Sequence, residues 1–336
     1  MKGAYIASVD YYLPAHVISN AELAEKHPQW QMDQVVLRSG VKNRHWAKTS
    51  ETALDLAEVA CKKLAARTGF DLNNASAILF CTQSPDHIMP PNACLLQSRL
   101  GLPNTIAAFD YTLACSGFIY GLYLAKALVQ SGAAEHVLLV TAETYSKWLH
   151  PDDRGPATLF GDGAAATLVS VGESAIGSFL LGTDGDSASC FMIPAGGARL
   201  PRSAETAQPF KDHNDNIRSA EHLYMNGIAV LDFVKEKIPV LVKGLLEQEK
   251  LTIRDLDLVV FHQASQVTLD YLYGSLHIPK EKRFFNISDI GNTVSASIPI
   301  GLRVAELQGK LKPGMRVMLV GFGVGMSWGG CILTWM

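Results

Sequence analysis

Three residues in this 336-residue chain have types and settings suited to nucleophilic chemistry: Cys115, His262 and Asn292. Cys115 lies in Leu113-Ala114-Cys115-Ser116-Gly117, directly before a run in which Phe118, Ile119, Leu122, Ala125, Leu128 and Val129 recur at helical spacing; Ser131-Gly132 stops the pattern. A cysteine at a helix start faces unsatisfied backbone N–H groups and the positive end of the helix dipole. Both stabilise the thiolate, which is the nucleophilic form. Read alone, the same cysteine also fits a packed interior position, because free cysteine is among the most buried residue types. His262 closes the apolar run Val259-Val260-Phe261, where it fits a hydrogen-bonded structural histidine as well as a partner for a nucleophile. Asn292, in Ile290-Gly291-Asn292-Thr293, fits a turn.

The elements that must position these residues follow a pattern. Alternating apolar strands and amphipathic helices predict an α/β protein. The strands are expected near 3–13, 75–84, 105–111, 135–143, 161–171 and 176–185, and Ser50-Glu51-Thr52 opens a long helix through Ala53-Leu54-Asp55 to Thr68. Ala77-Ile78-Leu79-Phe80-Cys81-Thr82-Gln83-Ser84 recurs as Leu258-Val259-Val260-Phe261-His262-Gln263-Ala264-Ser265, Leu100-Gly101-Leu102-Pro103 as Leu276-His277-Ile278-Pro279, and His136-Val137-Leu138-Leu139-Val140 as Arg316-Val317-Met318-Leu319-Val320. These separations of 181, 176 and 180 residues predict two copies of one α/β unit, 1–175 and 176–336. On that reading Cys115 and Asn292 occupy corresponding strand-to-helix turns, with His262 at a neighbouring strand end. Such ends and switch points are where α/β sheets place their sites. The polar segment 184–222 reads as a surface cap at the mouth of a substrate channel.

Bulk properties narrow the classes. A net charge of −3 gives no footprint for nucleic acid or an anionic membrane. No apolar run reaches the roughly eighteen residues of a membrane span, and the start reads as strand and turn rather than a signal peptide. A soluble cytoplasmic protein is therefore expected. The six cysteines are scattered, with neither a CxxC pair nor metal-ligand spacing, which predicts reduced thiols and no structural metal. Gly321-Phe322-Gly323-Val324-Gly325 lacks the final glycine of a dinucleotide motif, since Met326 and Trp328 follow; it reads as a tight turn presenting backbone N–H groups to a reacting oxygen. Gly161-Asp162-Gly163 reads as a turn before a strand.

Together these motifs resemble the β-ketoacyl-acyl carrier protein synthase III family of the thiolase superfamily. The resemblance runs over essentially the whole chain, through Arg38-Ser39-Gly40-Val41, Ala114-Cys115-Ser116-Gly117-Phe118, Asp153-Arg154-Gly155, Phe160-Gly161-Asp162-Gly163, Phe261-His262-Gln263-Ala264, Gly291-Asn292-Thr293 and Phe322-Gly323-Val324-Gly325-Met326-Ser327-Trp328-Gly329. It implies a duplicated five-layered αβαβα fold, a homodimer, acyl-coenzyme A and malonyl-acyl carrier protein as substrates, and no metal or redox cofactor. It further implies Cys115 as acyl carrier, His262 and Asn292 as donors to the malonyl thioester oxygen, and Cys115 and Val324 N–H groups as a second oxyanion site. Arg38 and Arg154 match coenzyme A contacts; Phe160, Leu231 and Phe322 match the acyl-pocket lining, and Met89 matches a residue that closes the pocket of the partner subunit. The chain departs from the pattern at Val267, Gln34 and Ile228, which stand where an arginine, a tryptophan and an asparagine are usual. A decarboxylating Claisen condensation is expected. The alternatives are acyl transfer through Cys115 and His262 without decarboxylation, and a non-catalytic partner subunit.

Overall fold

Alternation along the strands separates the core into layers. In the strand Ala77–Cys81, Ala77 and Leu79 join one apolar cluster while Ile78 and Phe80 join another; in Leu258–Phe261, Leu258 and Val260 join the cluster of Ala77 and Leu79, and Val259 and Phe261 face away. Each strand is therefore buried on both faces, as its unbroken apolar run requires. The computed structural model describes residues 2–212 and 214–336.

The first sheet has the order Gly3–Tyr12, Gly163–Gly172, His136–Glu143, Ala77–Cys81, Ala107–Tyr111, antiparallel at its first two junctions and parallel at the rest. The second has the order Ile176–Thr183, Ser327–Thr334, Arg316–Gly323, Leu258–Phe261, with the same sequence of antiparallel and parallel junctions. A single parallel bridge from Val259 to Arg283 stands where the fifth strand of the first sheet lies. The helices Gly117–Ser131 and Ser297–Leu307 fill the space between the sheets: Phe118, Ile119, Leu122, Ile298 and Leu302 pack in one cluster with residues of both. Ala53–Thr68 and Asn92–Arg99 cover the outer face of the first sheet, and Gly227–Glu249 and Gln266–Ser275 that of the second. The result is five layers, αβαβα.

Local signals act where the sequence placed them. Thr52 caps Ala53–Thr68 in a reciprocal box with Asp55, and Ser19 does the same with Glu22 for Asn20–Lys26. Two readings change. Asp162 is more than a turn residue: it is wholly buried and its carboxylate accepts from Ala47 N–H at 2.7 Å, Ser146 N–H at 2.9 Å and Ser146 Oγ at 2.5 Å, tying three segments together. Burial raises it to about 6, against those hydrogen bonds. The segment 184–222 also carries structure. Phe191–Met192 pairs with Tyr224–Met225, Phe210–Lys211 pairs with Ile217–Arg218, and Arg218 reaches Asp153 at 2.9 Å and Asp212 at 3.0 Å.

Candidate active site

The two sheets approach each other at Cys115. It lies between Ala107–Tyr111 and the helix Gly117–Ser131, is 2% exposed, and shares an apolar cluster with Phe160, Val294 and Phe322. The strand Arg316–Gly323 of the second sheet passes directly behind it. A Cβ on Gly323 would stand 2.8 Å from Cys115 Cβ and 2.9 Å from Sγ, and one on Gly321 would stand 2.8 Å from Cys115 O. These glycines are in the strand, so the glycine-rich run serves close approach as well as the turn read from sequence. Val324 begins that turn, and among the described residues no other residue accepts from the N–H of Val324 or of Cys115.

The electrostatics reverse one expectation. Burial, reinforced by the nearby Glu143 carboxyl, pushes the Cys115 thiol up, opposed mainly by its own backbone N–H. Desolvation at this internal site favours the neutral thiol and so opposes the thiolate inferred from position.

His262 is 1% exposed; its N–H donates to Val320 O at 2.8 Å and its Nδ1 lies 2.6 Å from Ser297 Oγ. The imidazole meets Phe322 edge to face at 5.6 Å. Desolvation lowers it to about 3, so the ring is neutral at physiological pH. Because the unfolded chain binds this proton below about 6.5, the stability gained by keeping the ring neutral is complete above 6.5 and is lost as pH falls towards 3. Urea midpoints across that window should therefore fall more steeply for the native protein than for His262→Gln.

Asn292 is 4% exposed and its amide is oriented at both ends. Oδ1 accepts from Val294 N–H at 2.9 Å, and Nδ2 donates to Ala264 O at 3.3 Å, which leaves one Nδ2 hydrogen. The turn reading thus holds physically, since Asn292 supports Val294 at φ 54°, a left-handed conformation that a β-branched residue adopts only under constraint. Its backbone forms an isolated parallel bridge to Phe160, the residue that ends the helix Arg154–Leu159: Asn292 N–H donates to Leu159 O at 2.9 Å, and Gly161 N–H to Asn292 O at 3.0 Å.

The other residues divide. Phe160 and Phe322 are buried in the cluster of Cys115, and Phe160 meets Tyr145 at 5.3 Å. Leu231 is half-buried on Gly227–Glu249 and lies outside that cluster, which its neighbours Val230 and Phe233 join instead. Met89 is 78% exposed in the single chain, on a loop. Arg38 is exposed on Met32–Ser39, Arg154 begins Arg154–Leu159, and neither pairs with a carboxylate among the described residues. Sequence reasoning missed several contributors. Ser297 sits behind the imidazole. Glu143 is fully buried, accepts from Gln83 N–H at 3.0 Å, Ser295 Oγ at 2.8 Å and Ser84 Oγ at 3.2 Å, and burial raises it to about 8. A cavity of about 220 Å³ runs from Val324 past Gln83, Tyr145 and Trp148 to Phe191 and Leu223. Only tertiary contact reveals these; the one sequence signal was that Gln83 falls within the repeated segment.

Comparison with known proteins agrees with this geometry. Residues 109–185 match the family model of 3-oxoacyl-[acyl-carrier-protein (ACP)] synthase III, and residues 246–335 match that of its C-terminal part. The chain is 37% identical over 333 residues to the β-ketoacyl-[acyl-carrier-protein] synthase III of Clostridioides difficile (strain 630), covering 99% of this chain and 98% of that protein. A crystal structure of 3-oxoacyl-(acyl-carrier-protein) synthase III superposes with TM-score 0.97 at 42% identity, covering 99% and 100% of the two chains. The enzyme of Burkholderia xenovorans LB400 gives 0.92 at 33%, covering 99% and 94%. The fold is that of the thiolase-type condensing enzymes, acyl-transferring catalysts. The chain belongs to the β-ketoacyl-acyl carrier protein synthase III family.

Proposed function

We propose that Cys115 attacks an acyl thioester, releases the coenzyme A thiol with the sulfur's proton, and holds the acyl group while malonyl-acyl carrier protein binds. Loss of carbon dioxide leaves an enolate whose carbon attacks the acyl carbonyl; the carbon–sulfur bond to Cys115 breaks and a β-ketoacyl-carrier product leaves. The observation that carries this reading is the amide of Asn292, pinned so that a single N–H remains unbonded on a residue whose neighbours Phe160 and Val294 share the apolar cluster of Cys115. That N–H and a neutral His262 donating from Nε2 stabilise the enolate oxygen. For this tautomer Ser297 Oγ–H donates to Nδ1. The N–H groups of Cys115 and Val324 hold the oxyanion formed on the acyl carbon. These are donor and nucleophile roles, and none calls for a metal or redox cofactor.

The two sheets with one order of junctions support halves 1–175 and 176–336, the first carrying Cys115 and the second His262 and Asn292. A homodimer fits Ala107–Tyr111, which lies at a sheet edge with Phe109 41% exposed, and the exposed Met89 that a partner would bury. The solution mass should be twice 36.4 kDa by light scattering. All six cysteines are free, and no helix among the described residues is long and apolar enough to cross a membrane, which supports work in the reducing cytoplasm. Arg38 and Arg154 are free to pair with coenzyme A phosphates, so Arg38→Ala and Arg154→Ala should each raise KM for the acyl-coenzyme A donor about three- to tenfold with kcat little changed. Phe160 and Phe322, buried in the cluster of Cys115, belong to the proposed acyl passage. Val267, 41% exposed, brings no positive charge to the carrier.

The test is stoichiometry. Acyl-loaded protein mixed with malonyl-acyl carrier protein should yield carbon dioxide and β-ketoacyl carrier in equal amounts. Transfer of the acyl group without carbon dioxide would establish the simple acyltransferase instead, and no loading at all the non-catalytic subunit.

A further inference from the structure

The cavity leading from Val324 is largely apolar, with Phe191 and Leu223 in its wall, yet the carboxamide of Gln83, also in its wall, holds a donor with no protein acceptor among the described residues. The Tyr145 hydroxyl donates to Gln83 Oε1, and the Gln83 backbone N–H donates to Glu143 at 3.0 Å, so the carboxamide is held at both its oxygen and its main chain. Its Nε2 has no acceptor among the described residues. A hydrocarbon acyl chain would desolvate the Gln83 donor and leave it unmet, whereas an acceptor oxygen can meet it.

We propose that the acyl group carried by Cys115 bears an acceptor oxygen, a keto or hydroxyl group along its chain, that hydrogen-bonds Gln83 Nε2. This rests on the condensation reading above and names its donor class: a short oxygenated acyl thioester. Discrimination follows from the asymmetry of hydrogen bonding. A site built to bond an oxygen rejects the analogue lacking it, because its own donors are then left unpaired.

The probes are hexanoyl-coenzyme A and its 4-oxo, 5-oxo and 5-hydroxy counterparts, with Cys115 acylation followed by intact mass on the full-length protein. At least one oxygenated donor should load about tenfold more efficiently than hexanoyl, a ratio expected for one net hydrogen bond. The ratio should fall to about one in Gln83→Leu and in Gln83→Glu, the second keeping the length of the side chain and an Oε1 for the Tyr145 hydroxyl while removing the N–H donors. Hexanoyl loading as fast as every oxygenated donor overturns the proposal, and so does a preference unchanged in both variants. If no donor loads the native protein, the condensation reading fails and this inference with it; loading by hexanoyl alone sinks only the inference.

Discussion

Cys115→Ala should carry no acyl adduct after incubation with acyl thioesters, and condensation should fall by at least about a thousandfold, the loss typical of removing a covalent nucleophile. The fold should survive. Alanine removes one sulfur from a site where Gly323 already leaves the strand no side chain, and the cavity so made is small. Intact mass and circular dichroism on the same sample separate the two effects. An adduct that persists in Cys115→Ala would place the nucleophile elsewhere, and then the exposed Cys94 becomes the first candidate. The raised thiol pKa sharpens the prediction with pH. Because burial pushes the sulfur up, acylation should rise with pH through and beyond neutrality and show no plateau in the mildly acidic range, where a thiolate held by a helix terminus would already be saturated.

Asn292→Ala should lower malonyl-carrier decarboxylation by about a hundred- to a thousandfold, the range for loss of one oxyanion donor, while acylation of Cys115 continues. Alanine also removes the acceptor that supports Val294 at φ 54°, so the same variant should melt at a lower temperature. Asn292→Asp separates the two roles. It keeps an Oδ1 for Val294 N–H and loses the Nδ2 hydrogen, so stability should recover relative to Ala while decarboxylation remains impaired. Equal loss of acylation and decarboxylation in Asn292→Asp would mean that Asn292 holds the loop and does not touch the substrate. The single remaining Nδ2 hydrogen is what makes the outcome sharp, because Ala264 O already takes the other.

The sequence by itself determined the elements, their caps and much of the chemistry. Thr52 with Asp55 marks a helix start wherever that segment is placed, and five or six consecutive apolar residues such as Ala77–Cys81 specify a strand buried on both faces. Spacing alone recovered the repeated segments, and the motifs around Cys115, His262 and Asn292 were local enough to read directly. The protonation of the site was not legible. Position before a helix argued for a thiolate, but desolvation depends on what surrounds the sulfur, and Glu143 and the second sheet reach it from residues far along the chain. The reason Gly321 and Gly323 must be glycine likewise appears only when a strand of one sheet crosses behind a turn of the other. Leu231 shows the same limit, since one helical step decides whether a side chain or its neighbour faces the cluster. Gln83, Tyr145 and Trp148 carried no motif; their shared cavity exists only after the first sheet and the segment 184–222 have closed over it. Local chemistry is written in adjacent residues, whereas dielectric, approach and cavity shape are properties of groups that the fold alone makes neighbours.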